Sequence, residues 1–554
     1  MTRRVVLVGA GGAFGRSLAA RLATWPGLEL VLAGRRAEPL QSLRTALIAD
    51  GATAQISVVK LDRERPTAIA ALSPWAVVDL AGPFQDAGYE LARSTLAAGG
   101  HYLDIADGRV FVAGFTAALD DQARRSQRLA ATGASSTPAL TAAAVSQLTE
   151  GWRRIDRVEA TISPGARASY GASVIGAALS WAGQPIQVFT GGAWRSRAGA
   201  SLLRRRDMPG LGRRWVCLAE TPDLDLLVAQ FSVTEEALFL AGAELGVESF
   251  AFSGLAWLVR LRFLPSLSAL APLLAWLAAQ LAAFGSDCGG MSVMVEGLGP
   301  GGAPARARWS LSAAAGIGPN VPILPAAAVL RGLATARISE VGARAAAGLV
   351  PLKAILAEAE GLDIKTRTDR GAPGDRTLAR RLLGEAFDHM PAAVRAVHGG
   401  ATPGRLRGGA RARGGGGLSA LVRWLAGMPG PGLYPALEVE IAADPREETW
   451  TRNFGAKRFR SRLRDLKTIG RFEEAIGLLA FVFDAEPEAQ GFRWRFAGWR
   501  LGPFSLPRAL APRIHARSFA RDGVYRFSVA VAHPWIGVVM AYAGRLDTER
   551  TTAG

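Results

Sequence analysis

The feature that most constrains the fold lies near the start of the chain, where an apolar run breaks into glycines and then continues with a helical pattern. Residues 5–8 read VVLV, residues 9–15 read GAGGAFG, and residues 16–22 carry apolar side chains at helical spacing. Glycine accepts backbone angles closed to other residues, and without a Cβ the main chain can approach a phosphate closely. The pattern predicts the strand, turn and helix of a dinucleotide-binding unit, with Gly9, Gly11, Gly12, Phe14 and Gly15 as cofactor-binding residues.

The end of the second predicted strand bears on the choice between the two nicotinamide cofactors. An apolar run ends there in Gly34, Arg35 and Arg36. A carboxylate in this place binds the ribose hydroxyls of NAD, whereas arginines offer planar donors to the 2′-phosphate of NADP. Because no acid stands here, the sequence predicts NADP as the cofactor, bound by Arg35 and Arg36. After a third strand at residues 55–59, Asp62 either caps a helix or meets the adenine edge.

Three more apolar runs, at residues 75–80, 101–105 and 129–132, predict further strands of a parallel sheet covered on both faces. Ligands of such sheets lie beyond the carboxyl ends of the strands, so we expect the loops after these runs to line the site. Gly82 and Pro83 are therefore predicted beside the cofactor. The other candidates are Tyr102 and Asp104 for catalysis, and Ser135 and Ser136 for an anionic substrate group, with helix capping as the alternative for Asp104 and both serines.

Four of these segments resemble the NADP-binding domain of the saccharopine dehydrogenase superfamily. They are the glycine turn at 9–15, the LAGRR strand end at 32–36, the AGPFQ loop at 81–85 and the HYLD strand at 101–104. The resemblance spans roughly residues 2–140 and includes the saccharopine dehydrogenase-like oxidoreductases and, more distantly, the trans-acting enoyl reductases of bacterial lipid synthesis. It implies hydride transfer with NADPH, in which catalysis depends on positioning the substrate against the nicotinamide.

Changes of pattern along the chain predict three domains. Residues 1–150 form an α/β Rossmann domain that binds NADP on a doubly wound parallel sheet, and residues 151–380 form an α+β substrate domain. In the second domain, Arg167 and Tyr170 are candidates for substrate contact, or else surface residues of a loop.

The third predicted domain, residues 381–554, is mainly β and mostly antiparallel, a barrel or a sandwich. Its pattern, including WTRNFG at residues 450–455, resembles the uncharacterised DUF4166 domain that is often fused to saccharopine dehydrogenase-like modules. The Gly/Arg-rich passage at residues 403–417 is predicted to be a mobile loop or linker.

An apolar stretch at residues 253–284 leaves three interpretations open. From Phe263 to Phe284 the chain has 22 residues without a charge, nominally enough to span a bilayer. Pro265 and Pro272 interrupt this run inside what should be one folded domain. A buried helix or helix pair lining the pocket, or a peripheral membrane contact, is therefore favoured over a true span.

The net charge of +18 does not by itself indicate a nucleic-acid partner. Only five of the 65 basic residues are lysines, a bias that, with abundant Ala and Gly, suggests a genome-wide codon effect. No basic block carries interleaved aromatics, so we expect no nucleic-acid partner. The two cysteines exclude a disulfide framework and indicate a reducing compartment, the cytoplasm, with membrane association as the alternative. The five histidines lack ligand spacing, so no metal is predicted.

The sequence thus predicts an NADPH-dependent oxidoreductase that reduces a C=N, C=O or C=C bond of an unidentified small-molecule substrate. The apolar stretch suggests an apolar or lipid-like substrate. Together with the third domain it departs from the lysine-pathway enzymes, which disfavours saccharopine itself. The competing hypothesis is a protein that binds NADP or associates with a membrane without turnover. A homo-oligomer is also expected.

Overall fold

The computed structural model describes residues 2–168, 172–371, 377–399, 405–425, 427–444, 447–455, 457–466, 470–477, 479–502 and 504–547. The chain divides into two compact units, Met1–Arg370 and Gly371–Gly554. The strands of the first unit are β1 (Arg3–Val8), β2 (Leu28–Gly34), β3 (Gln55–Lys60), β4 (Ala76–Asp79), β5 (His101–Asp104), β6 (Leu129–Thr132), β7 (Arg154–Ser163), β8 (Pro185–Thr190), β9 (Ala193–Ala198), β10 (Arg204–Met208), β11 (Gly212–Leu218), β12 (Glu236–Ala241), β13 (Gly289–Leu298), β14 (Pro304–Ala313), β15 (Gly342–Ala345) and β16 (Ile364–Gly371). Its helices are α1 (Ala13–Ala23), α2 (Ala37–Ala49), α3 (Ile69–Leu72), α4 (Glu90–Ala97), α5 (Arg109–Arg125), α6 (Thr141–Leu148), α7 (Ala172–Trp181), α8 (Asp223–Phe231), α9 (Gly246–Arg260), α10 (Ala271–Leu281), α11 (Leu324–Ala334) and α12 (Leu352–Ala357).

The first sheet is parallel and has the strand order β3-β2-β1-β4-β5-β6-β15. The chain builds outward from β1 to β3, returns to β4 and builds outward in the other direction. This is the doubly wound Rossmann order, and it confirms the fold class predicted for the N-terminal region. Consecutive side chains of β1, from Val5 to Val8, are at most 1 % exposed. Both faces of the sheet are therefore covered, which is why its strands read as continuous apolar runs.

The seventh strand of this sheet comes from far along the chain. β15 pairs in parallel with β6, which places Ala343 opposite Ala130. The carboxylate of Asp120 in α5 accepts a hydrogen bond from the backbone N of Ala343 at 2.8 Å. Residues 342–345 carry glycine, alanine and arginine without an apolar pattern, so no signal in the sequence predicts this strand.

The second sheet is mixed and confirms the predicted α+β character of the middle region. Its main path is β10-β11-β12-β7-β13-β14-β16, while β8 pairs with β12 and β9 pairs with β8. β7 runs parallel to β12 and antiparallel to β13. Apolar side chains from this sheet, such as Val293 and Trp309, belong to the same buried core as the first sheet.

The apolar stretch of the middle region folds into short helices. α9 ends at Arg260, and α10 is flanked by single 3₁₀ turns at Ser268–Leu270 and Ala282–Phe284. No residue of α10 is buried, so the prediction of a buried helix is wrong for this element. None of the helices in the described parts of the chain combines the length and the apolar character needed to cross a bilayer.

The second unit is mainly antiparallel β structure. Its elements are α13 (Leu378–Leu383), α14 (Glu385–Asp388), α15 (Ala392–His398), β17 (Arg405–Arg413), α16 (Leu418–Leu425), β18 (Gly432–Asp444), β19 (Glu447–Phe454), β20 (Lys457–Asp465), β21 (Arg471–Ile476), β22 (Leu479–Glu488), β23 (Gly491–Leu501), β24 (Phe504–Ser505), β25 (Arg513–Arg521), β26 (Val524–His533) and β27 (Gly537–Asp547).

Ten described strands of this unit close on themselves, because β22 pairs with both β21 and β23. The mainly β prediction is thereby confirmed, and of its two alternatives the structure shows the barrel. Large side chains such as Phe472, Phe483 and Tyr525 are buried in its core.

Residues 405–413 of the Gly/Arg-rich passage form the strand β17, so the prediction of a mobile loop or linker is wrong for most of the segment. β17 pairs with β18 and β27. A Cβ on Gly408 would lie 2.0 Å from the carbonyl O of Arg545. The missing side chain thus lets neighbouring strands approach, a use of glycine that composition cannot distinguish from a flexible linker. Residues 403–404 lie outside the described ranges.

Candidate cofactor and substrate site

The glycine turn joins β1 to α1 at the point where the strand order of the first sheet reverses. Gly9 has a φ of +81°, and a Cβ on it would lie 2.8 Å from the backbone N of Ala81. A Cβ on Gly15 would lie 2.3 Å from the carbonyl O of Gly9. These two glycines therefore let the turn pack against the helix and the loop after β4.

The other residues of the turn leave the start of α1 open. Gly12 is exposed and is the N-cap of α1, with no acid in the first helical turn. A Cβ there would meet only the carbonyl O of Gly9, at 3.3 Å. Gly11 and Phe14 are half-buried at the same end of the helix. Free backbone N–H groups and the positive end of the helix dipole are thus available to an anion.

Arg35 and Arg36 follow β2 and are both exposed. Neither has an ion-pair partner among the described residues, so both guanidinium groups can reach a ligand at the carboxyl edge of the sheet. Asp62 lies after β3, where its Oδ1 accepts a hydrogen bond from the backbone N of Glu64 at 3.1 Å. This bond stabilises the turn, and the contact of Asp62 with the adenine stays a prediction.

The loops after β4, β5 and β6 form one continuous wall. A Cβ on Gly108 would lie 3.1 Å from the carbonyl O of Phe84, and one on Gly133 would lie 3.3 Å from the carbonyl O of Ala106. Gly82 and Pro83, in the first of these loops, are exposed. The structure thus brings the loops predicted to line the site into mutual contact.

Arg63, which sequence reasoning missed, fixes the loop after β4. Its Nη2 lies 3.0 Å from Oδ2 of Asp79, and its guanidinium lies 4.7 Å from the centre of the Phe84 ring. Burial raises the pKa of Asp79 to about 6, against the opposing effect of the Arg63 charge. An arginine one position after Asp62 in an arginine-rich chain carries no local signal of this role.

Tyr102 is fully buried in β5 and points its hydroxyl at Asp79, 3.4 Å away. Burial raises its pKa well above the usual value, and the neighbouring Asp79 carboxylate adds to the rise. The hydroxyl is therefore neutral and is engaged below the surface, a placement that favours a structural role. Tyr170, the other tyrosine candidate, lies outside the described residues.

Asp104, at the end of β5, connects the loops after β5 and β6 through hydrogen bonds. Its Oδ1 accepts hydrogen bonds from the backbone N of Ala106 at 3.0 Å, the backbone N of Gly133 at 2.7 Å and the hydroxyl of Thr132 at 2.8 Å. Its Oδ2 is buried and has no hydrogen-bond partner among the described residues. Burial raises the pKa of Asp104 to about 7, although these three hydrogen bonds act to lower it.

We expect Asp104→Asn to change the pH dependence of folding. The variant keeps the accepting oxygen and removes the titrating proton. Since the folded pKa of about 7 exceeds the usual aspartate value of 3.8, native stability from this group is full below pH 4 and is lost as pH rises toward 7. The difference between the free energy of unfolding of Asp104→Asn and that of the wild type should therefore shift in favour of the variant by about 1.4 kcal/mol for each pH unit of increase in this window.

The measurement is urea unfolding of both proteins between pH 4 and pH 8. Thr132→Val, which removes one donor to Asp104 and leaves the carboxyl titratable, is the control and should retain the wild-type sign of the slope. A difference in the free energy of unfolding between wild type and Asp104→Asn that stays constant across this range would contradict the raised pKa of Asp104.

Ser135 and Ser136 lie buried just after β6. The Oγ of Ser136 has no hydrogen-bond partner among the described residues, and neither serine hydroxyl makes a helix-capping bond there. Substrate contact by these serines stays a prediction.

The same loop contacts a buried carboxylate that sequence reasoning missed. The hydroxyls of Thr137 and Thr141 both donate hydrogen bonds to Asp223, the first residue of α8. Burial raises the pKa of Asp223 to about 7, against the hydrogen bond from Thr141. Thr137 is itself only half-buried, so its hydroxyl connects Asp223 to the edge of the sheet. Residues 137 and 223 are too far apart in sequence for any local pattern to relate them.

Arg109, also missed from the sequence, links the wall to the second sheet. It stands at the start of α5, donates from Nε to Oδ2 of Asp225 at 2.6 Å and donates from Nη1 to the carbonyl O of Gln187 at 2.8 Å. Arg167, in contrast, donates to the carbonyl oxygens of Ala282 and Ala283, in the turn after α10. Its role in substrate contact stays a prediction.

The fold and this edge together define a Rossmann-type α/β unit with an open helix N-terminus at the sheet's switch point, joined to a mixed second sheet. No group of three or more His, Cys, Asp or Glu side chains is arranged to hold a metal ion within the described ranges.

Comparison with known proteins adds an assignment for the C-terminal region. Residues 390–546 match the family described as "Domain of unknown function (DUF4166)", which confirms the predicted resemblance of that region. No curated protein matches the chain.

Among solved structures, the chain is similar to apo saccharopine dehydrogenase (L-Glu forming) from Saccharomyces cerevisiae, with 11% identity and a TM-score of 0.49. That match covers 66% of this chain and 100% of the other. A metagenomic short-chain oxidoreductase in complex with NADP has 21% identity and a TM-score of 0.19, over 24% of this chain and 80% of the other. A short-chain type dehydrogenase/reductase from Mycobacterium ulcerans has 20% identity and a TM-score of 0.20, over 24% of this chain and 66% of the other.

Proposed function

We propose that the protein is an NADPH-dependent oxidoreductase that reduces a C=N, C=O or C=C bond of an apolar small molecule. The observation that carries the proposal is the open N-terminus of α1 beside the glycine turn, at the point where the strand order reverses. The free backbone N–H groups in the first turn of α1 would hold the pyrophosphate, because the absent side chain of Gly12 leaves room for it. When bound, NADPH supplies a hydride from its nicotinamide.

The cofactor preference is proposed from Arg35 and Arg36. Both side chains are exposed at the end of β2, and the strand itself ends in Gly34 rather than in a carboxylate that would pair with ribose hydroxyls; the next acid is Glu38, in the first turn of α2. A 2′-phosphate would give these guanidinium groups the anionic partner that they lack among the described residues. The wall after β4, β5 and β6 would then hold the nicotinamide and the substrate.

We propose Asp223 and Thr137 as the source of the proton that accompanies hydride transfer to a carbonyl or imine. The pKa of Asp223, raised by burial to about 7, means that the carboxyl holds its proton for part of the time near neutral pH. The hydroxyl of Thr137 contacts this carboxyl and is half-exposed. A proton can pass from Asp223 to Thr137 as Thr137 gives its own proton to the substrate.

Turnover is tested by following NADPH absorbance with imines, ketones and enoyl thioesters that carry apolar chains. We expect oxidation of NADPH with at least one class, and for a carbonyl or imine substrate we expect Asp223→Asn to lower kcat by about tenfold or more. Its NADPH affinity should stay unchanged, since the carboxyl lies under the loop after β6. Asp121→Asn, which removes an exposed acid from α5, is the control for the loss of an acid.

The competing function is NADP binding without turnover. It is favoured by the burial of Tyr102 and Asp104, which leaves neither described catalytic candidate from β5 exposed. Tight NADPH binding together with no oxidation across all three substrate classes would support it against the enzyme.

A further inference from the structure

The outward faces of α9 and α10 are apolar, the reverse of an ordinary surface helix. Exposed positions on α9 recur at helical spacing from residue 247 to residue 258, and those on α10 from residue 273 to residue 277. Phe263 and Phe284, beside these helices, are 72% and 80% exposed. A helix on the surface of a globular protein normally exposes polar side chains to the solvent. The exposed large apolar side chains here are Val247, Phe250, Trp257, Leu258, Leu261, Phe263, Leu273, Trp276, Leu277 and Phe284, which together we call the docking surface.

The docking surface is not a core face left uncovered by accident. The inward side of α9, with Ala256 and Val259, packs in a small buried cluster with Leu179 and Ala182 from α7 and the segment that follows it. Leu270 and Leu274 pack against the same cluster from α10 and the turn before it. α9 therefore already has a buried side and α10 a partly buried one, and the apolar residues of the docking surface are additional to them.

The carboxylate of Glu244, just before α9, connects the segments at the ends of this helical region. Glu244 accepts hydrogen bonds from the backbone N of Ala166 at 2.8 Å and from the backbone N of Ser286 at 2.7 Å. Its Oε1 also lies 3.1 Å from Nη1 of Arg214. The segments before α9 and after α10 are thus held together, so the docking surface has a defined orientation.

Arginines outnumber acids around the docking surface, where Glu248 is the one acid of α9 and α10. Arg260 lies over the ring of Trp257 at 4.7 Å, and exposed Arg262 follows it. Exposed Arg167 contacts the turn after α10, and exposed Arg205 lies 6.0 Å from the ring of Trp215, which packs on Phe250. The sequence contains no acid between Glu248 and Asp287.

We propose that the docking surface lies on a bilayer that contains anionic phospholipid. Tryptophan and leucine side chains enter the boundary between headgroups and acyl chains, and arginines at the rim meet the anionic headgroups. The helices lie in the plane of that boundary. This surface is independent of the proposed redox function.

The charge pattern favours a lipid surface over a second copy of this chain. In a two-fold symmetric interface both copies contribute the same patch, so the arginines of one copy would meet a partner surface that carries the same arginines. Because Glu248 is the one acid on α9 and α10, such an interface would bring together more like charges than opposite ones. Anionic headgroups neutralise them instead.

The test is flotation of the full chain with vesicles of phosphatidylcholine alone or of phosphatidylcholine mixed with phosphatidylglycerol. We expect binding to the mixed vesicles, weakened by added salt. Trp257→Ser combined with Trp276→Ser should lower the bound fraction by about tenfold or more. Arg260→Gln combined with Arg262→Gln should remove most of the preference for the anionic vesicles.

The matched control is Ile48→Ser combined with Val110→Ser, which removes exposed apolar side chains from α2 and α5 and should bind like the wild type. Absence of wild-type binding to either vesicle, or equal loss in the control variant, would overturn the proposal. Equal wild-type binding to both vesicle types would overturn the role of the anionic headgroups. A dimer in gel filtration that the tryptophan variant splits, without vesicle binding, would identify a second copy as the occupant.

Discussion

Gly12→Ala is expected to abolish most NADPH binding in a protein that still folds, whereas Gly15→Ala is expected to unfold the first unit. The two glycines stand three residues apart in one turn but face different surroundings. Gly12 has an extended backbone, and its Cβ would meet only one oxygen, at 3.3 Å. The new methyl group would instead occupy the space above the start of α1 that we assign to the pyrophosphate.

The loss of stability in Gly15→Ala comes from clashes of the new methyl group with the protein backbone. Its Cβ would lie 2.3 Å from the carbonyl O of Gly9 and 2.6 Å from Cα of Ala10, both of them backbone atoms that cannot rotate away. We expect a loss of about 3 kcal/mol or more in the free energy of unfolding. For Gly12→Ala we expect a loss of about 1 kcal/mol or less in stability, and a fall of about thirtyfold or more in NADPH affinity.

Thermal unfolding and fluorescence titration with NADPH separate the two effects. Gly12→Ala should melt within about 4 °C of the wild type and lose NADPH binding, while Gly15→Ala should melt at a much lower temperature and also lose NADPH binding. Wild-type affinity in a folded Gly12→Ala protein would show that the pyrophosphate does not lie over this turn.

The second large effect is expected from Arg35→Ala combined with Arg36→Ala. A hydrogen bond to a charged group contributes about 1.5–3 kcal/mol, so loss of two such donors to a 2′-phosphate should weaken NADPH binding by about 100-fold. Binding of NADH should change little, because NADH lacks that phosphate. The wild type should therefore prefer NADPH, and the variant should have lost most of this preference.

A matched pair of arginines controls for net charge. Arg93 and Arg125 are exposed on α4 and α5, and Arg93→Ala combined with Arg125→Ala removes the same two charges away from the end of β2. That variant should retain the NADPH preference at every salt concentration. Equal affinity of the wild type for NADPH and NADH would rule out the proposed cofactor.

Much of the first sheet could be predicted because its signals are local. Buried parallel strands read as continuous apolar runs, and the glycine turn follows the first of them directly. The loops at Gly82 and Ser135 could be placed at one edge because parallel strands end on the same side. The β character of the C-terminal region was likewise visible in short alternating runs.

The rest depends on contacts between distant residues. Arg63 pairs with Asp79, Arg109 with Asp225, and Thr137 with Asp223, and none of these pairs lies within one element. The sequence also could not decide between a buried helix and an exposed apolar face for α10, since a uniformly apolar run has the same pattern in both cases.

Because β15 is synthesised long after β6, the first sheet cannot be completed early in translation. β6 is made about 200 residues before the strand that covers its outer edge, as the pairing of Ala130 with Ala343 requires. While the middle region is being synthesised, β6 presents unpaired N–H and C=O groups to other chains. A nascent chain halted between these strands thus carries an open sheet edge, and completion of the first unit requires the whole second sheet to be made first.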